Sequence, residues 1–284
     1  MNKNSSKLKL VTRNDLPAWL LRESSPYIFS GYRKPGASWI SCLATLFSLH
    51  NESVNVLSHA LGALYFGHLI TVHTLTIAND AARTLMLSFA VSLEVCLISS
   101  ATFHLLHPYS PRVASRLLRI DLGGILVGCC GCYAPGFYFG LFCYPGIARF
   151  YIFAVAWLAA VCFALQLHPQ WLQPSWRIPR NALYATVMAF GIVPTVHWIS
   201  LVGMKSAEFS FFVPKIAMLY LLVGLAGAFY LSGWPESQWP GRFDIFLASH
   251  QLWHVLILFA FIYWYDAAVD MMQYRNENPC PAGK

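Results

Sequence analysis

Seven long apolar stretches follow one another along the chain, separated by short connectors rich in polar residues and proline. Each stretch has about the 20 residues that an α-helix needs to cross a hydrocarbon core of roughly 30 Å. Their approximate ranges are 54–74, 83–106, 119–141, 147–167, 181–202, 212–232 and 245–267. The pattern predicts an all-α fold, a bundle of seven transmembrane helices. We assign this membrane domain to residues 51–270.

Composition supports the membrane class and narrows the partners. The chain is 57% hydrophobic and 11% charged, whereas soluble domains carry roughly 25% charged residues. The formal net charge is +7, but the basic residues are scattered between the apolar stretches. We interpret them as attracted to anionic lipid headgroups. The expected partner is therefore the lipid bilayer, and no nucleic acid is expected.

The distribution of Lys and Arg predicts the orientation. Cytosolic connectors of membrane proteins carry an excess of these residues. The N-terminal segment and the second, fourth and sixth connectors share one side and hold 13 of them, against 6 on the other side. This bias predicts a cytosolic N-terminal segment over 1–50 and a lumenal or extracellular tail over 271–284.

A pair of histidines at the start of the seventh stretch predicts a metal site. His250 and His254 are separated by four positions, so they lie one above the other on one face of a helix. Two imidazoles with this spacing form a chelate that suits zinc. The alternative is a pair of capping or interhelical hydrogen-bonding histidines.

The predicted topology adds further polar groups at the same depth. His104 ends the second stretch, Asp121 opens the third, and Ser100 lies one turn before His104. Ionisable groups within a membrane domain usually face partners inside the bundle. We predict that His104, His250 and His254 bind zinc, with Asp121 and Ser100 as catalytic candidates. Three protein ligands leave a fourth position, as in catalytic zinc sites, but zinc that only joins the helices fits equally well.

Five runs resemble the progestin and adipoQ receptors and the related bacterial haemolysin-III-type proteins. These runs are PYIFSGYR at 26–33, LFSLHNESVNVLSH at 46–59, SSATFHLLH at 99–107, LLRIDLGGI at 117–125 and ASHQLWH at 248–254. The resemblance extends over nearly the whole chain from Pro26 onward. It implies seven helices, a cytosolic N-terminus and zinc held by the three histidines, with Asp121 and Ser100 near the metal.

Within this family, one Golgi-resident branch is most similar, through stretches such as GIVPTVHWISLVG and FYLSGWPESQWPG. That similarity implies a Golgi-membrane scaffold that tethers Raf kinase through its N-terminal segment and modulates growth-factor signalling. The first 25 residues resemble this branch least. The plasma membrane is the alternative location.

Two functional classes follow from the resemblance. One is a receptor or scaffold whose zinc is structural. The other is a zinc-dependent lipid amide hydrolase with a ceramide-like substrate, an activity proposed for the adiponectin receptors of this family. In either class a lipid is an expected ligand.

Overall fold

The protein is almost entirely helical, as the hydrophobic pattern predicts. The structure is a computed structural model that describes residues 10–22 and 24–280. Residues 1–9, which begin the predicted N-terminal segment, and residues 281–284, which end the predicted tail, lie outside the described residues. The helices are α1 Ala18–Leu21, α2 Trp39–Ala44, α3 Ser53–Val72, α4 Asp80–Leu106, α5 Pro111–Pro135, α6 Pro145–Gln166, α7 Arg177–Ala189, α8 Ile192–Val202, α9 Ala207–Ser232 and α10 Ser249–Glu277.

Six apolar segments of the described chain are long enough to cross a membrane. They are Asp80–Leu106, Pro111–Gly140, Pro145–Gln166, Pro174–Val202, Ala207–Ser232 and Ser249–Glu277. The first predicted span forms α3, which is also 20 residues long. Helix α3 contains polar residues such as Asn55 and His59 and is not one of the six. The described chain therefore contains six to seven apolar helices.

The fifth predicted span is two helices rather than one. Helix α7 ends at Ala189 and α8 begins at Ile192. Pro194 has no backbone N–H to donate to the carbonyl four residues earlier. The Phe190 carbonyl instead accepts from the Val193 N–H at 3.0 Å. A proline within an apolar span predicts a kink, and here the break between the two helices lies one turn before Pro194.

The last helix continues ten residues beyond the predicted span end at 267, to Glu277. Buried residues continue at helical spacing through this extension, at Ala268, Met271, Met272 and Arg275. One face of the extension is therefore covered by protein, which favours helix over an irregular tail. Residues 271–277 of the segment predicted as a tail are therefore helical.

The chain divides into two compact units, each formed from three separate stretches. Unit 1 consists of the residues up to Leu61, Ile98–Asp121 and Val223–Leu258. An apolar cluster of Leu16, Leu20, Ile28, Tyr32 and Ala248 joins its N-terminal segment to the residue before α10.

Polar contacts reinforce this packing within unit 1. The Asp244 carboxylate accepts hydrogen bonds from the Phe29 and Ser30 N–H groups at 3.0 and 2.8 Å. Gln251 donates to the Asn51 carbonyl at 2.9 Å. The N-terminal segment is therefore an integral part of unit 1.

Unit 2 consists of Gly62–Leu97, Leu122–Leu222 and the residues from Phe259 onward. It contains a disulfide between Cys143 and Cys280, which the sequence analysis did not predict. The indole N–H of Trp264 donates to the Cys132 carbonyl at 2.7 Å. Aromatic rings fill much of its interior, with Phe66, Phe89 and Tyr265 fully buried.

Candidate metal centre

Three histidines of unit 1 converge through their Nε2 atoms. His104 lies in the last turn of α4, while His250 and His254 lie in the first two turns of α10. The Nε2 atoms of His250 and His254 are 3.1 Å apart, and those of His250 and His104 are 3.5 Å apart. The ligand atoms of all three lie within 4.8 Å of one another. This cluster can hold a metal ion.

Burial makes the cluster a strong candidate site. His104 and His254 are buried, and His250 is half-buried. Imidazole nitrogens that face one another repel unless a proton or a cation lies between them. A cation shared by the three rings removes this repulsion and satisfies their lone pairs within the protein.

Glu52, one residue before α3, orients His104 from the other side of the ring. The Nδ1 of His104 donates to the Glu52 carboxylate at 2.7 Å. Asn55 donates to the same carboxylate oxygen at 2.6 Å. With Nδ1 protonated, Nε2 of a neutral His104 presents its lone pair to the cluster. A carboxylate behind a histidine is the usual outer partner of a metal-binding imidazole.

Electrostatics keep Glu52 ionised. Burial raises the pKa of the Glu52 carboxyl, but the electrostatic interaction and the hydrogen bond with His104, together with the electrostatic interactions with His107 and His250, lower this pKa by more than burial raises it. The pKa therefore lies well below its usual range. The ionised carboxylate strengthens its hydrogen bond to His104.

Ser100 and Asp121 lie beside the cluster, outside the group of metal-ligating atoms. Both side chains are buried. The Ser100 hydroxyl is hydrogen-bonded to the Asp121 carboxyl, and Asp121 is close enough to His104 for a significant electrostatic interaction. The structure thus brings both predicted catalytic residues to the site. In the described chain, the cluster of candidate ligand atoms comprises the three histidines and no carboxylate.

A buried arginine contacts the backbone of the histidine helix. Arg33 lies in the N-terminal segment and donates to the carbonyls of His104 and Leu105, the latter at 2.7 Å. It also donates to the Thr45 hydroxyl at 3.2 Å. Burial lowers the pKa of Arg33 to about 10, so its guanidinium group remains charged at neutral pH.

A fourth histidine packs against the cluster without joining it. The ring centroids of His59 and His254 are 4.0 Å apart. The Nε2 of His59 donates to the His254 carbonyl at 3.3 Å. His59 therefore acts as a packing neighbour of the cluster.

Comparison with known proteins agrees with this architecture. Residues 47–265 match the family described as haemolysin-III related. The chain belongs to the haemolysin-III-related family of progestin and adipoQ receptors. The family resemblance inferred from the five runs is therefore confirmed.

Individual relatives cover nearly the whole chain. The mouse progestin and adipoQ receptor family member 3 is 32% identical over 96% of this chain and 89% of its own length. The Drosophila melanogaster adiponectin receptor protein is 27% identical over 94% of this chain and 60% of its own length. An Arabidopsis thaliana relative named heptahelical transmembrane protein 1 is 27% identical over 98% of this chain and 86% of its own length. This protein is an integral, multi-pass helical membrane protein of the receptor family, as predicted.

Against this family background, sequence reasoning found the three histidines and missed two residues that hold them. Glu52 and Arg33 lie 52 and 71 positions from His104 along the chain. Neither has a local spacing relation to the histidines. Both lie within the runs that carry the family resemblance, LFSLHNESVNVLSH and PYIFSGYR. The family resemblance of these two runs was therefore the sequence signal that could have indicated Glu52 and Arg33.

Proposed function

We propose that this protein is a zinc-containing seven-helix membrane receptor or scaffold that resides in Golgi membranes and modulates signalling. The observation that carries the proposal is the convergence of three imidazole Nε2 atoms, one of them on a ring oriented by Glu52. Three imidazole nitrogens placed this close together are suitable ligands for a cation.

The chemistry of the donor set favours zinc. Zinc accepts imidazole nitrogens at roughly 2.0–2.1 Å in a tetrahedral arrangement, which puts two ligand nitrogens roughly 3.3 Å apart. The two Nε2 separations of 3.1 and 3.5 Å lie on either side of this value. Three nitrogen ligands with no protein carboxylate among them also suit zinc better than magnesium or calcium, which prefer oxygen.

In a scaffold, the ion joins α4 to α10 within unit 1. Glu52 extends the connection to the segment before α3 through its bond to His104. The N-terminal segment packs on the same unit through the hydrogen bonds that Phe29 and Ser30 donate to Asp244. A single ion would therefore stabilise the surface from which the N-terminal segment emerges.

Golgi residence and Raf kinase tethering are proposed from the family resemblance. The mouse and human family member 3 proteins are 32% and 31% identical to this chain. By that resemblance, the N-terminal segment is the region expected to engage Raf. The test is whether this segment, appended to an unrelated Golgi membrane protein, recruits Raf to the Golgi.

The proposed orientation has support from unit 2. The N-terminus is proposed to be cytosolic and the C-terminus lumenal or extracellular, from the distribution of Lys and Arg. Cys143 is bonded to Cys280 near the C-terminus. Disulfides persist in oxidising compartments such as the secretory lumen and are rare in the cytosol. Protection of a C-terminal epitope from protease in sealed Golgi vesicles tests the orientation, and digestion of that epitope contradicts it.

Metal analysis tests the proposed zinc. Purified protein should contain about one zinc per chain, and a His250→Ala/His254→Ala variant should contain almost none, because one ligand remains of three. His68, also on a helix but outside the cluster, provides the control His68→Ala. Equal zinc content in the double variant and the wild type would exclude this site.

The Ser100–Asp121 pair favours a second function, a zinc-dependent lipid amide hydrolase acting on a ceramide-like substrate. Zinc bound to three histidines supplies Lewis acidity to such a reaction. Asp121 would serve as the general base that accepts a proton from water, and the Ser100 hydroxyl would hold its carboxyl in place. The chain thus has a carboxyl beside the ligand cluster rather than in it.

The two functions predict different effects for the Asp121→Asn and His104→Ala variants. For the hydrolase, Asp121→Asn should abolish hydrolysis of a ceramide-like substrate by the purified protein while leaving most of the zinc bound. For the scaffold, His104→Ala should lower thermal stability and Golgi accumulation, while Asp121→Asn has little effect. Turnover that is lost in Asp121→Asn and retained in Glu94→Gln would replace the scaffold proposal by the hydrolase.

A further inference from the structure

A charged residue from outside the histidine cluster holds the backbone of one of its members. Arg33 is 4% exposed, and its two terminal nitrogens divide between the carbonyls of His104 and Leu105. Helix α4 ends at Leu106, so these two carbonyls belong to the last turn. Carbonyls in the last turn of a helix have no donor within the helix, and a cation there is favoured by the helix dipole.

Arg33 is itself fixed by the chain on both sides. Two residues before it, the Gly31 carbonyl accepts from the Asn51 N–H at 2.9 Å. Three residues after it, the Gly36 N–H donates to the Pro108 carbonyl at 2.9 Å. The backbone on both sides of Arg33 is thus held by hydrogen bonds that do not involve the histidines.

The position of Gly31 shows how closely this backbone approaches the rest of unit 1. Its φ is +81°, a conformation that favours glycine. A Cβ at this position would clash with the Cδ1 of Ile245. Glycine at position 31 therefore allows the segment that carries Arg33 to pack closely against Ile245.

From these contacts we propose that Arg33 is a positioning residue for the metal ligand His104. Glu52 fixes the ring of His104 through Nδ1, and Arg33 fixes the carbonyl of the same residue. Together the two contacts hold His104 at its ring and at its backbone. The inference rests on the proposed metal site.

The chemistry of the arginine is specific. A planar guanidinium with five donors can serve two carbonyls and a hydroxyl at once, whereas the ammonium of lysine is a compact point charge on a longer flexible stem. Lysine at position 33 would retain the positive charge but lose the planar arrangement of N–H donors. His107 reaches the His104 carbonyl at 3.1 Å, so the carbonyl keeps one donor and the helix end remains capped. We therefore expect Arg33→Lys to make the position of His104 less fixed while the helix end stays capped.

The test measures zinc affinity in Arg33→Lys by competition with a chelator, together with X-ray absorption at the zinc edge. We expect affinity to fall ~10-fold, within the range for loss of an outer partner, and the zinc–nitrogen distances to become more variable. Arg275→Lys is the matched control, because Arg275 also donates to two helix-end carbonyls, those of Phe139 and Gly140 at the end of the π-helix Gly136–Gly140 that follows α5. We expect it to lower thermal stability and leave zinc affinity unchanged.

The outcomes separate the two proposals. If wild-type protein binds no zinc, the proposed function fails. If wild type binds zinc and Arg33→Lys matches it in affinity and zinc-edge spectrum, the positioning role is wrong and the zinc site stands. A lower stability of the zinc-free Arg33→Lys protein with unchanged affinity would also overturn the inference, since it would show a purely structural cap.

Discussion

Arg33 in unit 1 and Arg275 in unit 2 make the same local contact in different settings. Each is buried and donates to two backbone carbonyls at a helix end. Arg275 also forms an ion pair with Glu208 and lies 5.1 Å from the ring centroid of Phe212. Its charge is thus compensated by a carboxylate and aromatic faces within unit 2.

Arg33 has a different setting in unit 1. Glu52, the acid that interacts electrostatically with Arg33, forms its hydrogen bond with His104. Arg33 itself donates a hydrogen bond to the backbone carbonyl of the same histidine. The same capping contact thus lies beside a compensating carboxylate in unit 2 and on the backbone of a proposed metal ligand in unit 1. Variants in the two units should therefore change different measurements.

Loss of a proposed ligand should have the largest effect on zinc affinity. We expect His104→Ala to lower zinc affinity by more than ~100-fold, beyond the range for the loss of an outer partner. Chelator competition measures it. The control is His197→Ala in unit 2, where His197 contacts the Tyr151 hydroxyl at 2.9 Å. A comparable loss of zinc in the control would end the distinction between the units.

Loss of the arginine in unit 2 should have the next largest effect, on stability. We expect Arg275→Ala to lower the free energy of unfolding by about 3 kcal/mol, because it leaves Glu208 without its cation. Unfolding in detergent, followed by circular dichroism, measures this change. Zinc affinity should stay at the wild-type value.

A double variant sharpens this second prediction. Arg275→Met with Glu208→Gln removes both charges and keeps most of the volume, and such replacements are often neutral. It should therefore be more stable than Arg275→Ala. Equal destabilisation would show that the carbonyl contacts to Phe139 and Gly140, rather than the unpaired acid, carry the effect.

Neutralising the acid behind His104 should have an intermediate effect on metal binding. We expect Glu52→Gln to lower zinc affinity ~10–100-fold, since a neutral amide orients the imidazole less firmly and raises its basicity less. Chelator competition again gives the value. Glu208→Gln is the matched acid-to-amide change in unit 2. An unchanged affinity in Glu52→Gln would mean that the Glu52–His104 contact serves packing alone.

The order in which these groups could be found follows from how far their interactions reach along the chain. His250 and His254 are four residues apart, so helical periodicity is sufficient to pair them. His104 and Asp121 required the predicted topology, which brings the ends of successive spans to one depth. Helix type and approximate span positions followed from hydropathy, because the bilayer thickness sets the length of each span.

Contacts made by irregular segments could not be derived in this way. Glu52 and Arg33 lie outside the long helices, where no periodicity fixes the direction of a side chain. The bond between Cys143 and Cys280 joins positions 137 residues apart, and pairing of cysteines cannot be deduced from a single sequence. The break between α7 and α8 could not be located from the position of Pro194, because the loss of one hydrogen bond does not fix how the chain adjusts.

The smallest predicted effect concerns the attachment of the N-terminal segment to unit 1. The Asp244 carboxylate accepts from the Phe29 and Ser30 N–H groups and from the Ser30 hydroxyl, the last at 2.6 Å. The Asp244→Asn side chain keeps one accepting oxygen, but its NH2 group replaces the second oxygen and faces the N–H and hydroxyl groups that donate to it. We expect a local loss of about 1 kcal/mol. Amide exchange at residues 29 and 30 should then be ~5-fold faster.

The matched change in unit 2 is Tyr133→Phe, which removes the hydroxyl that donates to the Val187 carbonyl at 2.6 Å and accepts from the Gly191 N–H at 3.0 Å. It should accelerate exchange near the α7–α8 break and leave residues 29 and 30 unaffected. Asp244→Asn should do the reverse, because the segment opens locally when its own polar contacts weaken. If both variants accelerated exchange throughout the chain, the two units would unfold as one cooperative body. The contrast between Arg33 and Arg275 would then reduce to their different partners.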